Sequence, residues 1–305
     1  MGLDMNKTLI RYFNNPLLLF AYFARASKGF RFLDDKTYLS LMYFSIYKKK
    51  INLKNPKLFS EKLQWLKLYD RSPLYTKMVD KYEAKKYVAN IIGEEYIIPT
   101  LGVWDKFDDI DFNKLPSHYV LKCTHDSGGL VICRNHDINI ESAKQKIENS
   151  LHTDYYWLFR EWPYKNVKPR IIAEKFLDNG INGLIDYKFY CFNGEPKFLY
   201  VSKGLEDHRT ARISFLNLDW TFANYHRDDY AEFETLPPKP INYETMLNIA
   251  RKLSSGIKFL RVDLYEVDNH VYFSELTFSP NSGFMTFRDE ETDAEIGSLL
   301  DISGR

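Results

Sequence analysis

The feature that most constrains the fold is a C-terminal run in which charged and apolar residues alternate. Residues 259–278 read FLRVDLYEVDNHVYFSELTF. Alternation with a period of two is typical of a β-strand buried on one face, and the polar residues between the two halves indicate a hairpin. A hairpin with one apolar face is stable only within a larger sheet or against a covering layer. The chain must therefore build a covered β-sheet around this segment.

The loop length of this hairpin decides which side chains share a face, because one residue of slip moves the whole set. We expect a three-residue loop at residues 268–270, since it places Asp263 opposite Glu275 and Arg261 opposite Thr277. The apolar residues then share the other face: Leu260, Val262, Leu264, Leu276 and Phe278.

Asp263 and Glu275 form an unusual pair for two strands that are otherwise apolar. Carboxylates opposed on neighbouring strands have Cβ atoms only ~5 Å apart and repel each other unless a positive charge lies between them. Magnesium is held by one or two carboxylates and completes its ligand set with water and phosphate. The pair therefore predicts a magnesium site. The alternative is a solvated hairpin face on which Arg261 pairs with Asp263.

The rest of the chain alternates between helical and strand patterns. Residues 5–70 contain many Leu, Tyr, Phe and Lys and few Gly, which favours helices, and further helices are predicted at 77–92 and 243–256. Gly, Asn, Asp and Pro separate the predicted strands YIIPTLGVW, HYVLKC, LVICR, RIIAEKFL, DYKFYCFNGEPKFLYVS and RISFLNLDW. This interleaving predicts an α+β fold with two lobes and a cleft.

Composition argues against several classes of protein. The net charge is +1, which provides no general attraction for nucleic acid. Three cysteines without a CxxC pair do not suit a disulfide framework, so we expect a cytoplasmic protein. The apolar run at 17–24 is too short to span a bilayer; we interpret it as a buried helix face, with a membrane-surface anchor as the alternative. The basic run at 47–54 is interpreted as a solvated face, with polysaccharide or membrane-surface contact as the alternative.

Two further stretches have the composition of a nucleotide site. Residues 120–133, VLKCTHDSGGLVIC, place two strands around a loop of small residues whose N–H groups can approach phosphate, and Lys122 precedes that loop. Residues 170–180, RIIAEKFLDNG, place Glu174 near the end of a strand whose following backbone can read a planar base. A Gly-Gly hairpin turn and an ordinary strand end are the respective alternatives.

Taken in order, these motifs resemble the ATP-grasp fold, and most closely the TupA-like family named for teichuronopeptide biosynthesis. The resemblance covers roughly residues 59–288 and rests on DK at 80 and 81, VLK with its glycine-rich loop, AEKFL, DYKFY, RVD and SELTF. Each motif alone is unspecific, whereas the ordered set is much more specific. The family implies two α+β lobes that clasp ATP. The expected divisions are an N-terminal helical region at 1–70, the N-terminal and lid lobes at 71–180 and a C-terminal magnesium-binding lobe at 181–305.

The resemblance also implies a role for individual residues. The phosphate-binding set is Lys81, Lys122 and, in the lid loop, Asp126, Ser127, Gly128 and Gly129. The adenine-binding set is Glu174 with the backbone of Lys175, Phe176 and Leu177. The magnesium ligands are Asp263 and Glu275, assisted by Thr277, where many family members carry asparagine, or by Asn281. The catalytic set is Arg261 and the N–H of Gly283 for the charged intermediate, and Lys188 for the terminal phosphate unless it is merely an exposed strand lysine.

The implied reaction uses ATP and Mg²⁺ to join a carboxylate to an amine through an acylphosphate. By family association, the carboxylate is a uronic acid of a bacterial capsular or related surface polysaccharide, and the amine is an amino acid or a similar molecule. His208, Arg209 and Arg212 are candidates for binding the acidic glycan, with a charged mobile loop as the alternative. Other functions remain open at this point: a sugar kinase, a glycosyltransferase of surface polysaccharide synthesis, or a noncatalytic nucleotide-binding protein.

Overall fold

A computed structural model of the protein describes residues 28–126, 128–180, 183–205 and 210–303. The apolar run at 17–24 and the candidate site residues Ser127, His208 and Arg209 lie outside the described residues. The described helices are α1 (Asp35–Tyr47), α2 (Phe59–Tyr69), α3 (Pro73–Val79), α4 (Glu83–Ile92), α5 (Ile140–Leu151), α6 (Tyr156–Phe159), α7 (Tyr243–Ser254) and α8 (Glu290–Ser298). In these ranges no helix has both the length and the apolarity needed to cross a bilayer.

The strands of the described ranges form two antiparallel sheets. Their bounds are β1 (Thr100–Trp104), β2 (Tyr119–Cys123), β3 (Leu130–Cys133), β4 (Ile171–Lys175), β5 (Ile185–Phe192), β6 (Glu195–Lys203), β7 (Arg212–Asn217), β8 (Phe259–Val267) and β9 (His270–Thr277). One sheet has the order β1-β4-β2-β3 and the other β7-β6-β5-β8-β9. The protein therefore has the expected α+β fold.

The four-stranded sheet is covered on one face by α5. Leu121 and Ala173 of the sheet pack in one cluster with Ala143 and Ile147 of the helix. Asn139 caps α5 by accepting a hydrogen bond from the N–H of Ser142 at 2.8 Å, as expected for an N-cap asparagine. This packing leaves the other face of the sheet available to Lys122 and Glu174, which lie on adjacent strands.

The five-stranded sheet is covered on one face by α4 and α7. Every second strand residue faces these helices, so Phe189, Leu199 and Val262 pack with Val88 and Met246. All five of these side chains are fully buried. One core is thus formed by every second residue of the strands and by the apolar faces of the helices, which repeat about every 3.6 residues.

The opposite face of this sheet is divided into an apolar end and a charged end. At the apolar end, the ring of Phe59 in α2 lies 5.7 Å from that of Phe192 and 5.1 Å from that of Phe259. Ile296 of α8 belongs to the same cluster. Because side chains alternate along a strand, the same face of β8 continues from Phe259 to Arg261 and Asp263.

The predicted pairing of the C-terminal hairpin is confirmed. Asp263 lies opposite Glu275, and Arg261 lies opposite Thr277. The apolar residues expected on the other face belong to the core beneath α4 and α7, with Phe278 partly buried at its edge.

The predicted three-residue loop of that hairpin is wrong. Val267 pairs with His270, so the loop consists of Asp268 and Asn269 alone. Their φ angles are 51° and 59°, as in the type I′ turn that suits the right-handed twist of two-residue hairpins. A bulge at Ser274 supplies the missing residue of register, since the partners on β9 step from Glu275 to Phe273. The hydrophobic pattern therefore predicted the correct strand pairing, but the register is set by a two-residue loop and a bulge instead of a three-residue loop.

The single helix predicted at 77–92 is also wrong, because α3 ends at Val79 and α4 begins at Glu83. Asp80 adopts an extended conformation, with φ −69° and ψ 113°. Its Oδ1 accepts hydrogen bonds from the N–H groups of Tyr82 at 2.9 Å and Glu83 at 3.3 Å. This is an aspartate cap at the start of a helix. Lys81 consequently lies in the break between the two helices.

The N-terminal helices are packed into the rest of the protein. Tyr38 and Tyr43 of α1 share a buried cluster with Phe284, which follows the last strand. Helices α2 and α4 both pack on the five-stranded sheet, although they lie on either side of residue 70. The division of the chain at 70 and 180 remains a proposal.

Candidate active site

Three strands place a cluster of charged side chains at the polar end of the five-stranded sheet. Arg261 donates two hydrogen bonds to Asp263, from Nε to Oδ1 at 2.7 Å and from Nη2 to Oδ2 at 2.6 Å. Lys188 on β5 donates to Asp263 Oδ2 at 3.0 Å and lies 3.1 Å from Asp186 Oδ1. Arg261 Nη2 also lies 2.9 Å from Glu275 Oε1 on β9. The cluster is therefore continuous across β5, β8 and β9.

The charges of this cluster stabilise one another against burial. Burial alone would raise the pKa of Asp263, but Arg261 and Lys188 outweigh it and hold that pKa below its ordinary value. Burial would lower the pKa of Lys188, but Asp186 and Asp263 outweigh it and raise that pKa. For Asp186 burial prevails, so its pKa is raised. Lys188 is only 9% exposed, which argues against an ordinary surface lysine.

Asp263 and Glu275 have the donor chemistry that magnesium requires. Both present hard oxygen ligands, and the guanidinium of Arg261 bridges them, so positive charge is accommodated between the two carboxylates. Asp263 is fully buried, whereas the side chain of Glu275 is 43% exposed. In the described part of the chain, no three His, Cys, Asp or Glu side chains could hold a metal together. An ion at this position would need water or phosphate as further ligands, as magnesium commonly does.

The other two candidate metal ligands differ in their contacts. Thr277 lies beside Glu275, and its Oγ1 donates to Glu275 Oε1 at 3.3 Å. Asn281 instead donates from Nδ2 to the carbonyl of Phe284 at 3.1 Å, within its own turn. The geometry thus joins Thr277, but not Asn281, to the carboxylate cluster by a hydrogen bond.

The SPNSG turn, residues 279–283, follows the strand that carries Glu275. Asn281, Ser282 and Gly283 are all left-handed, with φ of 50°, 54° and 74°. Such a conformation costs roughly 1 kcal/mol or more for a residue other than glycine. A Cβ atom on Gly283 would also lie 2.7 Å from Nε2 of Gln64, so a larger residue would have to displace that side chain. This turn contains Gly283, one of the predicted catalytic residues.

The glycine-rich loop brings Lys81 close to Asp126. Lys81 Nζ donates to the carbonyl of Asp126 and lies 3.9 Å from Asp126 Oδ1. Oδ2 of Asp126 accepts from the hydroxyl of Ser150 and from the N–H of Gly129. A Cβ on Gly129 would lie 2.3 Å from the Ser150 hydroxyl, which explains the glycine. Asp126 therefore ties the loop to α5, in addition to the phosphate role assigned from the sequence.

Glu174 is the centre of a second charged cluster. Lys122 on β2 contacts Oε2 of Glu174, and Lys85 on α4 lies 2.8 Å from Oε1. Burial would raise the pKa of Glu174, but Lys122 and Lys85 outweigh it and lower that pKa. The predicted phosphate lysine and the predicted adenine carboxylate are thus neighbours.

The segment after Glu174 leaves the sheet at its edge. The N–H of Lys175 donates to the carbonyl of Pro99 at 2.9 Å, and the side chain of Lys175 is exposed. Phe176 and Leu177 are partly buried, and the guanidinium of Arg134 lies 5.1 Å from the ring centroid of Phe176.

Arg212 lies away from the charged cluster. It is exposed at the start of β7, and strand alternation places it on the opposite face from Phe215. Phe215 pairs across the sheet with Tyr200, which in turn pairs with Lys188, so those three residues share the face of the cluster. A role for Arg212 in substrate binding therefore rests on the sequence alone.

Three charged residues of this region were not predicted from the sequence. Lys85 lies four residues after Lys81, one helical turn, and that spacing was the available signal. Asp186 lies two residues before Lys188 on the same strand face, which a period of two would have indicated. Glu161 is buried beside Ser282, whose hydroxyl donates to its Oε1 at 2.8 Å. No local pattern marks Glu161, because its partner is 121 residues away.

Comparison with solved structures gives distant similarities. D-alanine–D-alanine ligase from Helicobacter pylori is 16% identical with a TM-score of 0.47, over 79% of this chain and 69% of that chain. The ATP-grasp ligase PsnB, complexed with a phosphomimetic variant of its minimal precursor, Mg and ADP, is 11% identical with a TM-score of 0.41, over 99% and 71% of the two chains. D-cycloserine synthetase DcsG is 15% identical with a TM-score of 0.40, over 75% and 72%.

Sequence comparison is more decisive. A search of curated proteins found no match. The profile of the family described as TupA-like ATPgrasp, however, matches residues 61–301, which is most of the chain and includes both charged clusters. The chain belongs to the TupA-like ATP-grasp family.

Proposed function

We propose that the protein is an ATP-dependent ligase that joins a carboxylate to an amine through an acylphosphate. The observation that carries this proposal is the buried Asp263, held by Arg261 and Lys188 beside the more exposed Glu275. Such a cluster combines anionic metal ligands with cations that can meet phosphate. Family membership supports ATP as the nucleotide.

The first step brings two anions together. An oxygen of the substrate carboxylate attacks the γ-phosphorus of ATP, the bond to the β-phosphate oxygen breaks, and ADP leaves. Lys81 and Lys122, with Lys188 nearer the terminal phosphate, reduce the repulsion between the reactants. Asp263 and Glu275 would hold magnesium, which supplies further neutralisation of phosphate oxygens when bound, with Thr277 or Asn281 assisting.

The nucleotide base is assigned to the edge of the four-stranded sheet. Glu174 would accept from the adenine amino group, and the backbone of residues 175–177 would read the ring edge. The lysines that surround Glu174 keep its carboxylate ionised and therefore able to accept that hydrogen bond. Lys122, which contacts Glu174, would then bind the phosphates next to the base.

The second step forms the amide bond. The amine nitrogen attacks the acylphosphate carbonyl, the carbon–oxygen bond to phosphate breaks, phosphate leaves and the amine loses a proton. Arg261 and the N–H of Gly283 would stabilise the oxyanion that forms during this attack. No covalent enzyme nucleophile is required, which suits three buried cysteines.

We further propose that the acceptor is a uronic acid of a surface polysaccharide or its precursor, and that the amine is an amino acid or a similar small molecule. His208, Arg209 and Arg212 are the proposed contacts to the acidic glycan. The reaction would take place in the cytoplasm, with peripheral contact to a membrane where such glycans are assembled. Family association is the support for this substrate class.

ADP release tests the proposed function. Purified protein with Mg-ATP is offered a panel of uronic-acid glycans, each with and without amino acids. We expect ADP only when a carboxylate and an amine are both present. The Glu275→Gln variant should lose this activity, because it removes one proposed ligand charge. Glu234→Gln is the matched control, since it makes the same change at an exposed glutamate outside the charged cluster.

Other outcomes of this experiment overturn the proposal. ADP formed with a hydroxyl sugar alone, without an amine, would indicate a kinase. Turnover that requires a nucleotide sugar instead of ATP would indicate a glycosyltransferase. Nucleotide binding without turnover of any substrate class would leave a noncatalytic binding protein.

A further inference from the structure

The SPNSG turn is held from behind by helix α2 of the N-terminal region. Lys67 Nζ donates to the carbonyl of Ser282 at 2.5 Å, and Nε2 of Gln64 donates to the carbonyl of Gly283 at 2.6 Å. From α1, the hydroxyl of Tyr47 donates to the carbonyl of Met285 at 2.8 Å. Side chains of the N-terminal helices therefore bind three carbonyls in and directly after the turn.

Lys67 is buried in a site that matches its three N–H donors. Besides Ser282, its ammonium donates to Oε1 of Gln64 at 2.9 Å and to the carbonyl of Phe159 at 3.1 Å. The ring centroid of Phe284 lies 4.7 Å away, as in a cation–π contact. Burial lowers the pKa of Lys67 to about 7, while the charge of Glu161 favours the ammonium form. A buried ammonium is costly unless such acceptors surround it, so the site is built for a cation.

The orientation of the turn links these contacts to the charged cluster. In a trans peptide the carbonyl oxygen and the N–H hydrogen of one peptide plane point in opposite directions. Lys67 binds the carbonyl of Ser282, so the N–H of Gly283, which shares that peptide plane, points away from the Lys67 ammonium. The turn begins two residues after Thr277, whose hydroxyl donates to Glu275, and Ser282 of the turn donates to the buried Glu161.

We propose that Lys67 and Gln64 are positioning residues that hold the SPNSG turn in its left-handed conformation so that its N–H groups meet the reacting centre. Helix α2 then has two roles: it covers the apolar end of the sheet, and it positions the turn that contains Gly283. The inference rests on the proposed function, and it assigns to the N-terminal region a role in that same site.

Two variants test this inference against a control on the same helix. Lys67→Met keeps the length and apolar packing but removes the donors, and Gln64→Glu keeps an acceptor for Lys67 but loses the donor to Gly283. The control is Lys62→Met, because Lys62 also lies on α2 and its ammonium binds two carbonyls. One belongs to Gly297, in the last turn of α8, and the other to Leu300, just after that helix. The same kind of contact is thus removed from a different partner.

We expect kcat of Lys67→Met and of Gln64→Glu to fall by about 100-fold, the effect of a misplacement of about 1 Å. KM for ATP should stay within about twofold, because Lys67 does not face the nucleotide lysines. Lys62→Met should retain kcat within about threefold. A rise in KM with unchanged kcat, or equal kcat in Lys67→Met and Lys62→Met, would overturn the positioning role.

Hydrogen exchange of the peptide that spans residues 279–288 provides a readout without turnover. Its amides should exchange faster in Lys67→Met and Gln64→Glu than in the wild type or Lys62→Met, because the turn loses its anchors. Unchanged exchange would overturn the inference even if activity fell. If the wild type forms no ADP with any substrate, the proposed function fails, and exchange alone decides whether α2 holds the turn.

Discussion

Each of the two sheets contains one buried carboxylate that is bound by two cations: Glu174 in the four-stranded sheet and Asp263 in the five-stranded sheet. Both have a lowered pKa in spite of burial, because the paired cations outweigh desolvation. Their partners differ in origin. Asp263 is bound by Arg261, two residues earlier on its own strand, and by Lys188 directly opposite on β5. Glu174 is bound by Lys122 of β2 and by Lys85 of a helix.

This difference suggests different uses of the same charge pattern. The bidentate guanidinium of Arg261 fixes both oxygens of Asp263, and the side chain of Asp263 is fully buried. Lysines hold Glu174 through flexible stems, and Lys122 is 20% exposed. Asp263 thus belongs to a rigid cluster, whereas we propose that the contacts of Glu174 rearrange when a nucleotide binds.

The largest effect is expected for Asp263→Asn. Removing one member of a buried ion cluster leaves Arg261 and Lys188 uncompensated, which costs about 3–5 kcal/mol of unfolding free energy. Loss of the central carboxylate should also lower kcat by about 1000-fold or more, as losses of electrostatic groups do. Denaturant unfolding and ADP release measure the two effects. Asp268→Asn, the same change at the exposed turn of the same hairpin, should alter neither by much.

An intermediate effect is expected for Glu174→Gln. This change leaves Lys85 and Lys122 without their carboxylate and should cost ~2–3 kcal/mol of stability, less than Asp263→Asn because Lys122 is partly exposed and can turn toward solvent. KM for ATP should rise by about tenfold or more, because a hydrogen bond to an ionised acceptor is lost. If stability fell as far as in Asp263→Asn, the contrast between a rigid and an adaptable cluster would be lost.

The pH dependence of stability sharpens the same comparison. The pKa of Glu174 in the folded protein lies below its ordinary value of 4.5. Its contribution is therefore complete above about pH 4.5 and is lost as the pH falls through the lower, folded pKa. The difference in unfolding free energy between wild type and Glu174→Gln should be constant from pH 5 to 7, by this linkage, and shrink below about pH 4.5. A difference that grows on acidification would contradict the assignment.

The smallest effect is expected for Lys85→Met. Lys122 remains to pair with Glu174, so KM for ATP should rise by only about threefold to tenfold while kcat stays within about twofold. Lys86→Met is the matched control, because Lys86 is the next residue on α4, is largely exposed and lies 3.8 Å from Glu83. Equal KM values for the two variants would show that Lys85 has no part in nucleotide binding.

Part of the charged centre could be predicted because Arg261 and Asp263 lie two residues apart on one strand and Glu275 lies opposite Asp263 in a short hairpin. Arg261 and Asp263 follow from a period of two within β8, and the apolar residues between them determine the pairing of β8 with β9. Lys188 was expected only from the family resemblance. The loop was mispredicted because Asp268 and Asn269 adopt left-handed conformations and a bulge at Ser274 restores the register, and no hydrophobic pattern distinguishes these arrangements.

The break between α3 and α4 illustrates a local signal that was present but outweighed. Asp80 is a good N-cap residue, yet the apolar spacing continued through it and predicted one helix. The break matters because it places Lys81 near the glycine-rich loop, where its N–H donates to the carbonyl of Thr124 at 3.0 Å. The preference of aspartate for the N-cap position was the local signal for this break.

The sequence alone determined the α+β class, the opposition of Asp263 and Glu275 and the order of motifs that defines the family, because these depend on neighbours along one strand or on linear order. Only the tertiary structure decided that Lys85 shares Glu174 with Lys122, and that Lys67 and Gln64 hold the SPNSG turn. These contacts join residues that are far apart along the chain: 89 positions between Lys85 and Glu174, and 219 between Gln64 and Gly283. Long polar side chains take their partners from packing, which no local period encodes.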